Sequence, residues 1–197
     1  MSRQANPANK DKYIDVATSI MAKSGFDGVS IRDICRLTNT SVSSIYYHFK
    51  NKEELYIEIF CRQFNPLEKK LVEVSEQYTN LTEKLFALID TFIDELSANE
   101  NLWRLLMHTS IDSSTNNLSE IGKKSFIRCF RIFYDTILGI TNNGELAQLK
   151  AMFIFSLCLL PFQGKDIWPL LPGYRSEPLS TEALKGYIRE AIAKGIL

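Results

Sequence analysis

Apolar residues recur along this chain at intervals of three and four, and strand-like alternation bounded by turn residues is absent. Nearly every segment therefore reads as helix. Between Asp11 and Ser24, the residues Ile14, Ala17, Ile20 and Met21 form one apolar stripe, and Gly25 supplies its C-terminal stop. Ser30 caps a short helix bearing Ile31, Ile34 and Leu37, with Asp33 at the capping-box position. Thr38-Asn39-Thr40 breaks that helix, and Ser41 caps a second one running to about His48. Asn51 caps a third, with Glu53 and Glu54 in the first turn, where the helix dipole favours carboxylates. It runs from Lys52 towards Tyr78, with a disturbance expected near Pro66. Further helices are predicted over 82–98, 100–109, 119–140, 145–162 and 181–194, with a loop rich in Pro and Gly over 161–180. The expected architecture is all-α. Composition and helix length both change just after Lys52, which divides the chain into a three-helix domain at 1–55 and a larger helical domain at 56–197.

Two short helices three residues apart, Ile31–Leu37 and Ser41–His48, have the spacing of a helix-turn-helix. Asn39 falls in the turn, where a residue tolerant of left-handed backbone is wanted. On the second helix, Ile45 and Phe49 lie four apart and are expected to face inward with Ile34, Leu37 and Thr40. Val42, Ser43, Tyr46 and Tyr47 are left on the outward arc, because 42/46 and 43/47 are also i, i+4 pairs. Small groups at the start of a protruding helix can approach base edges and thymine methyls, while Tyr and Lys reach phosphates. Val42 cannot donate to a guanine, so apolar contact with a thymine methyl is expected there.

Composition changes this picture little: 45% hydrophobic and 23% charged residues are ordinary for a soluble globular protein. The net charge is zero, but residues 1–52 carry eight basic and four acidic side chains and the remainder fifteen and nineteen. A basic head on an acidic body agrees with a nucleic-acid partner for the head. Four widely spaced cysteines and two histidines fit neither a disulfide framework nor a zinc site, so no metal or cofactor is expected and a reducing cytoplasm is. The N-terminus lacks the apolar run of a signal peptide. The most apolar segment, Leu149 to Phe162, is interrupted by Pro161 and falls short of the ~20 residues that cross a bilayer, so no membrane partner is expected.

The segment from Ala17 to Leu55, with Gly25-Phe26, Ser30-Ile31-Arg32-Asp33-Ile34, Ile45-Tyr46-Tyr47-His48-Phe49 and Lys52-Glu53-Glu54-Leu55 in register, resembles the N-terminal domain of the TetR/AcrR family of bacterial transcriptional regulators. The resemblance implies that Ser30 and Arg32 touch the DNA backbone, that Val42, Ser43 and Ser44 approach bases, and that Tyr46, Tyr47, His48 and Lys52 grip phosphates. It also implies a homodimer on a near-palindromic operator, because two-fold symmetric proteins read two-fold symmetric sites. Asn39 stands where the family usually has Gly, Val42 where a polar residue is usual, and Ser43 where Gly or Pro is common. Base preference therefore does not carry over from relatives.

The body then has to account for regulation. Phe86, Trp103, Met107, His108, Phe126, Phe130 and Tyr134 are candidates to line a pocket for a small, largely apolar effector. Arg104, His108 and Asp112 share a helical face if that helix extends through Ser110. The helix at 145–162 is apolar almost all round and is expected to be buried on every side. A second copy of the chain would cover it, and the resemblance pairs it with the last helix, 181–194, as the dimer interface. No group of residues lines up as nucleophile, base and orienter, so no catalytic site is expected and the chain is not read as an enzyme. The expected function is a ligand-responsive regulator, a repressor in the first instance. A thiol-based redox regulator using Cys61 or Cys129, and a constitutive DNA-binding protein without effector, are the alternatives.

Overall fold

A computed structural model describes residues 7–111, 121–164, 168–172 and 180–196. Among these, helix follows helix with no strand: α1 (Pro7–Ser24), α2 (Ile31–Thr38), α3 (Val42–His48), α4 (Lys52–Gln77), α5 (Leu81–Ala98), α6 (Glu100–Ile111), α7 (Ile121–Thr141), α8 (Gly144–Gln163) and α9 (Thr181–Ala191), the last running on as a π-turn over Ile192–Ile196. The chain divides into two compact units. One comprises Met1–Asn65 with Arg104–Ser125, the other Pro66–Trp103 with Phe126–Leu197.

Local sequence chemistry sets the helix ends. In the first unit, Gly25 closes α1 at φ +73° and donates its N–H to the Met21 carbonyl at 2.9 Å. Ser30 and Asp33 form the complete capping box of α2, and Asn39 ends that helix at φ 53°, ψ 53°, in the left-handed region. Ser41 accepts the Ser44 N–H to cap α3, and Asn51 Oδ1 accepts the Glu54 N–H at 2.7 Å at the start of α4. The core of this unit is built from Ile14, Ala17 and Met21 of α1, Ile34 of α2, Ile45, Phe49, and Leu55, Ile59 and Phe60 of α4. Two hydrogen bonds tie α1 to the turn between α2 and α3: Lys12 Nζ donates to the Thr38 carbonyl at 3.0 Å, and the Tyr13 and Thr40 hydroxyls lie 3.1 Å apart.

One inward-facing residue was assigned wrongly from the sequence. Leu37 is 55% exposed, and Thr38 is buried in its place. At 100° per residue the buried stripe of α2 is Ile31, Ile34, Cys35 and Thr38, and Leu37 falls outside it. The Thr38 hydroxyl makes burial tolerable by donating to the Ile34 carbonyl at 2.7 Å. As expected from its apolar spacing, α4 runs on through Pro66, for 26 residues in all. One missing N–H is outweighed where Phe64 and Leu67, on either side, are both buried.

In the second unit α5 is the central element, packing against both α8 and α9. It buries Leu85, Leu88, Ile89, Phe92, Ile93 and Leu96. Its other face carries charge. Asp90 pairs with Arg189, Asp94 with Lys185 at 2.6 Å, and the Ser97 hydroxyl lies 3.0 Å from that of Thr181. Burial, the largest single effect on Lys185, draws its pKa down, but hydrogen bonds and charge from Asp94 and Glu182 together hold it above the usual lysine value.

Helix α8 differs from expectation in two ways. It is 20 residues long, because it starts at Gly144 and runs past Pro161, and by length and composition it could cross a membrane. Nor is it buried on every side within the chain. Ala147, Ala151, Ile154, Phe155 and Cys158 pack inward, whereas Leu146, Leu149, Met152, Phe153 and Leu160 are exposed. Its C-terminus is closed by Trp168, whose Nε1–H donates to the Pro161 carbonyl at 3.3 Å and whose ring occupies the space a side chain at Gly164 would need. The start of α7 expected at Ser119 lies outside the described residues, as does part of the loop over 161–180.

Candidate nucleic-acid interface

The two short helices present one continuous outward surface. Ile45 and Phe49 are fully buried, so rotation along α3 turns Val42, Ser43, Tyr46 and Tyr47 to solvent, and Tyr47 is 64% exposed. Ser44 is half-buried at the edge of this face. The three serines at the start of α3 bond to one another, Ser41 Oγ lying 2.9 Å from Ser43 Oγ and 2.8 Å from Ser44 Oγ. His48 is half-buried, its ring edge-on to Tyr13 at 5.6 Å and to Tyr47 at 5.3 Å. This packing steadies the phenol of Tyr47 from behind.

The residues expected to meet the DNA backbone stand around that face in different states. Arg32 is exposed on α2. The Ser30 hydroxyl donates to Asp33 Oδ2 at 2.6 Å, and Ser30 N–H also bonds that oxygen at 3.0 Å, so this residue already serves the cap. The Ser30 hydroxyl, then its backbone N–H, hold the Asp33 carboxyl below its ordinary pKa, and Arg36 adds to this at 2.9 Å. The Lys52 ammonium lies 3.9 Å from the centre of the Phe26 ring and would have to swing out to reach a phosphate. Lys50, exposed in the link between α3 and α4, was counted in the charge of the head but not singled out. The Lys-x-Lys spacing was the available signal.

The residues expected to line an effector pocket are divided between the two units. Met107 and His108 belong to the first unit, where the His108 imidazole lies against Gly25 and its Nδ1 is 3.1 Å from where a Cβ would stand. Asp112 lies outside the described residues. In the second unit, Phe126 and Phe130 meet at Phe155, with ring centres 5.8 and 5.2 Å away, and Phe92 and Phe133 complete the cluster at 4.9 Å each. Phe155 is thus the hub of an aromatic cluster. Sequence reasoning missed that role because Phe155 sits on a helix assigned to an interface. Phe86 packs elsewhere, under the Arg189 guanidinium at 5.8 Å, and the Tyr134 hydroxyl points at Gly144. Trp103 is buried.

Burial also bears on the thiols. Desolvation pushes Cys129 and Cys158 up to about 12, and raises Cys35, which leaves them protonated and poorly nucleophilic at neutral pH. Cys61 is half-buried on α4. Among the described residues no cluster of His, Cys, Asp and Glu is arranged to hold a metal ion.

Known proteins resemble this chain. Residues 14–59 match the family described as bacterial regulatory proteins, tetR family. The negative transcriptional regulator IcaR of the biofilm operon icaADBC in Staphylococcus aureus is 40% identical over 151 residues, spanning 75% of this chain and 81% of that protein. IcaR of Staphylococcus epidermidis is 45% identical over 56 residues, 28% of this chain and 30% of its own length. The crystal structure of the transcriptional regulator FadR from Bacillus subtilis in complex with stearoyl-CoA superposes with a TM-score of 0.73 over 95% of this chain and 99% of that one. At 19% identity, that likeness is one of fold.

Proposed function

Because this chain belongs to the TetR family of bacterial transcriptional regulators, we propose that it is a repressor that holds a near-palindromic operator as a homodimer and releases it when a small, largely apolar effector binds the helical body. The observation that carries this reading is the outward face of α3, where Val42, Ser43, Tyr46 and Tyr47 stand exposed over a fully buried Ile45 and Phe49. Val42, Ser43 and Ser44 approach base edges. Ser30, Arg32, Tyr46, Tyr47, His48 and Lys52 contact the sugar-phosphate backbone. Repression, rather than activation, is supported by the likeness to IcaR, a negative transcriptional regulator.

In functional terms residues 1–55 are the DNA-binding domain, and residues 56–197 bind effector and dimerise. The uncovered stripe Leu146, Leu149, Met152, Phe153 and Leu160 on α8 supports dimerisation through α8 and α9, since apolar side chains this large gain by leaving water together. The Phe155 cluster is the part of the body best suited to an apolar effector, and Phe126 and Phe130 are its half-buried members. The α4 helix contributes residues to both units and is the element through which effector and operator would be coupled. A coupling free energy of ~1–3 kcal/mol is typical and changes operator affinity about 5- to 150-fold. Such a protein works in the cytoplasm, where its DNA is.

The test is selection of bound sites from a random duplex pool at ~150 mM salt, where nonspecific binding is weak. The expected result is enrichment of an inverted repeat that the Tyr47→Ala variant binds poorly. If no sequence is enriched, the operator-binding reading fails.

A further inference from the structure

We propose that α3 reads its operator through thymine methyl groups, with Val42 as the residue that sets specificity; the inference rests on the operator-binding reading above. Proteins usually distinguish base pairs in the major groove by paired donors and acceptors. Arg or Lys bonds guanine O6 and N7, and Asn or Gln bonds adenine N6 and N7. Helix α3, with the sequence VSSIYYH, carries none of these four residue types.

Neighbouring groups that could supply such contacts are directed elsewhere. Lys10 pairs with Glu58 at 3.2 Å, Lys12 bonds the Thr38 carbonyl, Arg36 pairs with Asp33, and Lys52 lies over Phe26. The amides on either side of α3 are spent on backbone, Asn39 as the left-handed cap of α2 and Asn51 as the cap of α4. Among the described residues of 29–52, Arg32 and Lys50 remain, exposed but on flanking elements rather than on α3. Even the serine hydroxyls at the head of α3 bond to one another through Ser41, and a lone hydroxyl donates or accepts equally, so it discriminates little.

Besides hydroxyls, what α3 presents outward is hydrocarbon. Val42 stands at the first position of α3 with the Tyr46 ring one turn behind it on the same side, and both are exposed. In standard DNA the apolar group on a major-groove base edge is the C5-methyl of thymine. A β-branched side chain suits such contact, because in a helix it holds essentially one χ1 rotamer and loses little freedom on binding.

The experiment replaces thymines one at a time by deoxyuridine in both halves of the selected operator, and titrates the full-length protein against each duplex. Uracil pairs as thymine does and lacks only the methyl. The expected result is that one or two positions per half-site lose about fourfold for each methyl removed, or about 16-fold when both halves are substituted at one such position. Val42→Ala should bind the thymine operator more weakly and lose most of this penalty, binding thymine and uracil duplexes almost equally. Uracil tolerated at every position would overturn the inference while leaving the operator intact. So would an equal penalty in Val42→Ala, or a selected half-site whose invariant core is G·C. The uracil scan on the unaltered protein decides the matter even if the variant were to misfold. Failure to enrich any site at all would instead sink the operator-binding reading, and this inference with it.

Discussion

Two surfaces of this molecule leave large side chains uncovered, and they do so in different chemistry. On α3 the uncovered residues are Val42, Tyr46 and Tyr47, interleaved with serines and flanked by Arg32 and Lys50. On α8 they are Leu146, Leu149, Met152, Phe153 and Leu160, nearly all hydrocarbon, with Phe153 exposed to 63%. A tyrosine offers an apolar body and a hydroxyl that stays wet, so the first surface suits a polar, hydrated partner that still has apolar points on it. The second carries few polar groups, Ser156 among them with its hydroxyl already donating to the Met152 carbonyl, and suits a largely dry contact between proteins. Exposure of apolar residues is thus a poor guide by itself. The polar atoms placed among them say what the partner is.

The largest expected contrast is in salt dependence. Raising ionic strength from 50 to 200 mM should weaken operator binding by about 10³- to 10⁵-fold if six to ten phosphates are contacted. Dimerisation through α8 should barely respond, or strengthen slightly. Sedimentation and DNA titration across that range would check both, and a dimer that dissociates with added salt would contradict the dry α8 surface. Next in size is Phe153→Glu. It should leave the chain folded and monomeric and weaken operator binding about 100-fold, a loss of roughly 2.7 kcal/mol that is usual for a central interface residue. A variant that stays dimeric would move the interface elsewhere.

Tyr47→Ala should do the reverse. We expect about tenfold weaker operator binding from loss of one backbone contact, with dimerisation and melting temperature unchanged because Tyr47 is exposed. Smaller still is the effect of Ser41→Ala, which removes the cap of α3 and should cost about 1 kcal/mol, or 2–4 °C in melting temperature for a chain of this size. The smallest change concerns acid. The Ser30 hydroxyl and then its N–H hold the Asp33 carboxyl below its ordinary value of 3.8. Its folded-state pKa is depressed, so its contribution is complete above that value and is lost as pH falls through the lower folded one. Asp33→Asn should therefore lower stability slightly near neutrality, where the carboxylate's contribution is complete, and that deficit should vanish as pH falls below about 4, which thermal melts across pH would reveal.

The helix-turn-helix was legible because its signals are local. Ser30 with Asp33, Asn39, Ser41 and Asn51 each satisfy backbone groups within four residues of themselves, so they act the same way in sequence and in space. Where reasoning strayed, the deciding contact was distant. Leu37 looked like a core residue by hydrophobicity, and the neighbouring Thr38 took the place because it lies on the stripe facing α1 and could bond its hydroxyl to Ile34. The contact of His108 with Gly25, more than eighty residues away in sequence, is of the same distant kind. Phe86 lies under the Arg189 guanidinium and the Tyr134 hydroxyl beside Gly144, contacts that helical spacing does not reveal.

The sequence by itself determined the all-helical architecture, the ends of most helices and the outward arc of α3. Each follows from hydrogen bonds and apolar spacing within a turn or two, where the backbone leaves few choices. Only the tertiary structure decided that α8 buries one face and leaves the other open, that Phe155 gathers the body's aromatic rings, and that Asp90 and Asp94 of α5 pair with Arg189 and Lys185 of α9. In α8 the apolar residues run almost all the way round, so no periodicity marks which side faces inward. Packing against another helix breaks that symmetry, and a chain read alone does not contain the neighbour.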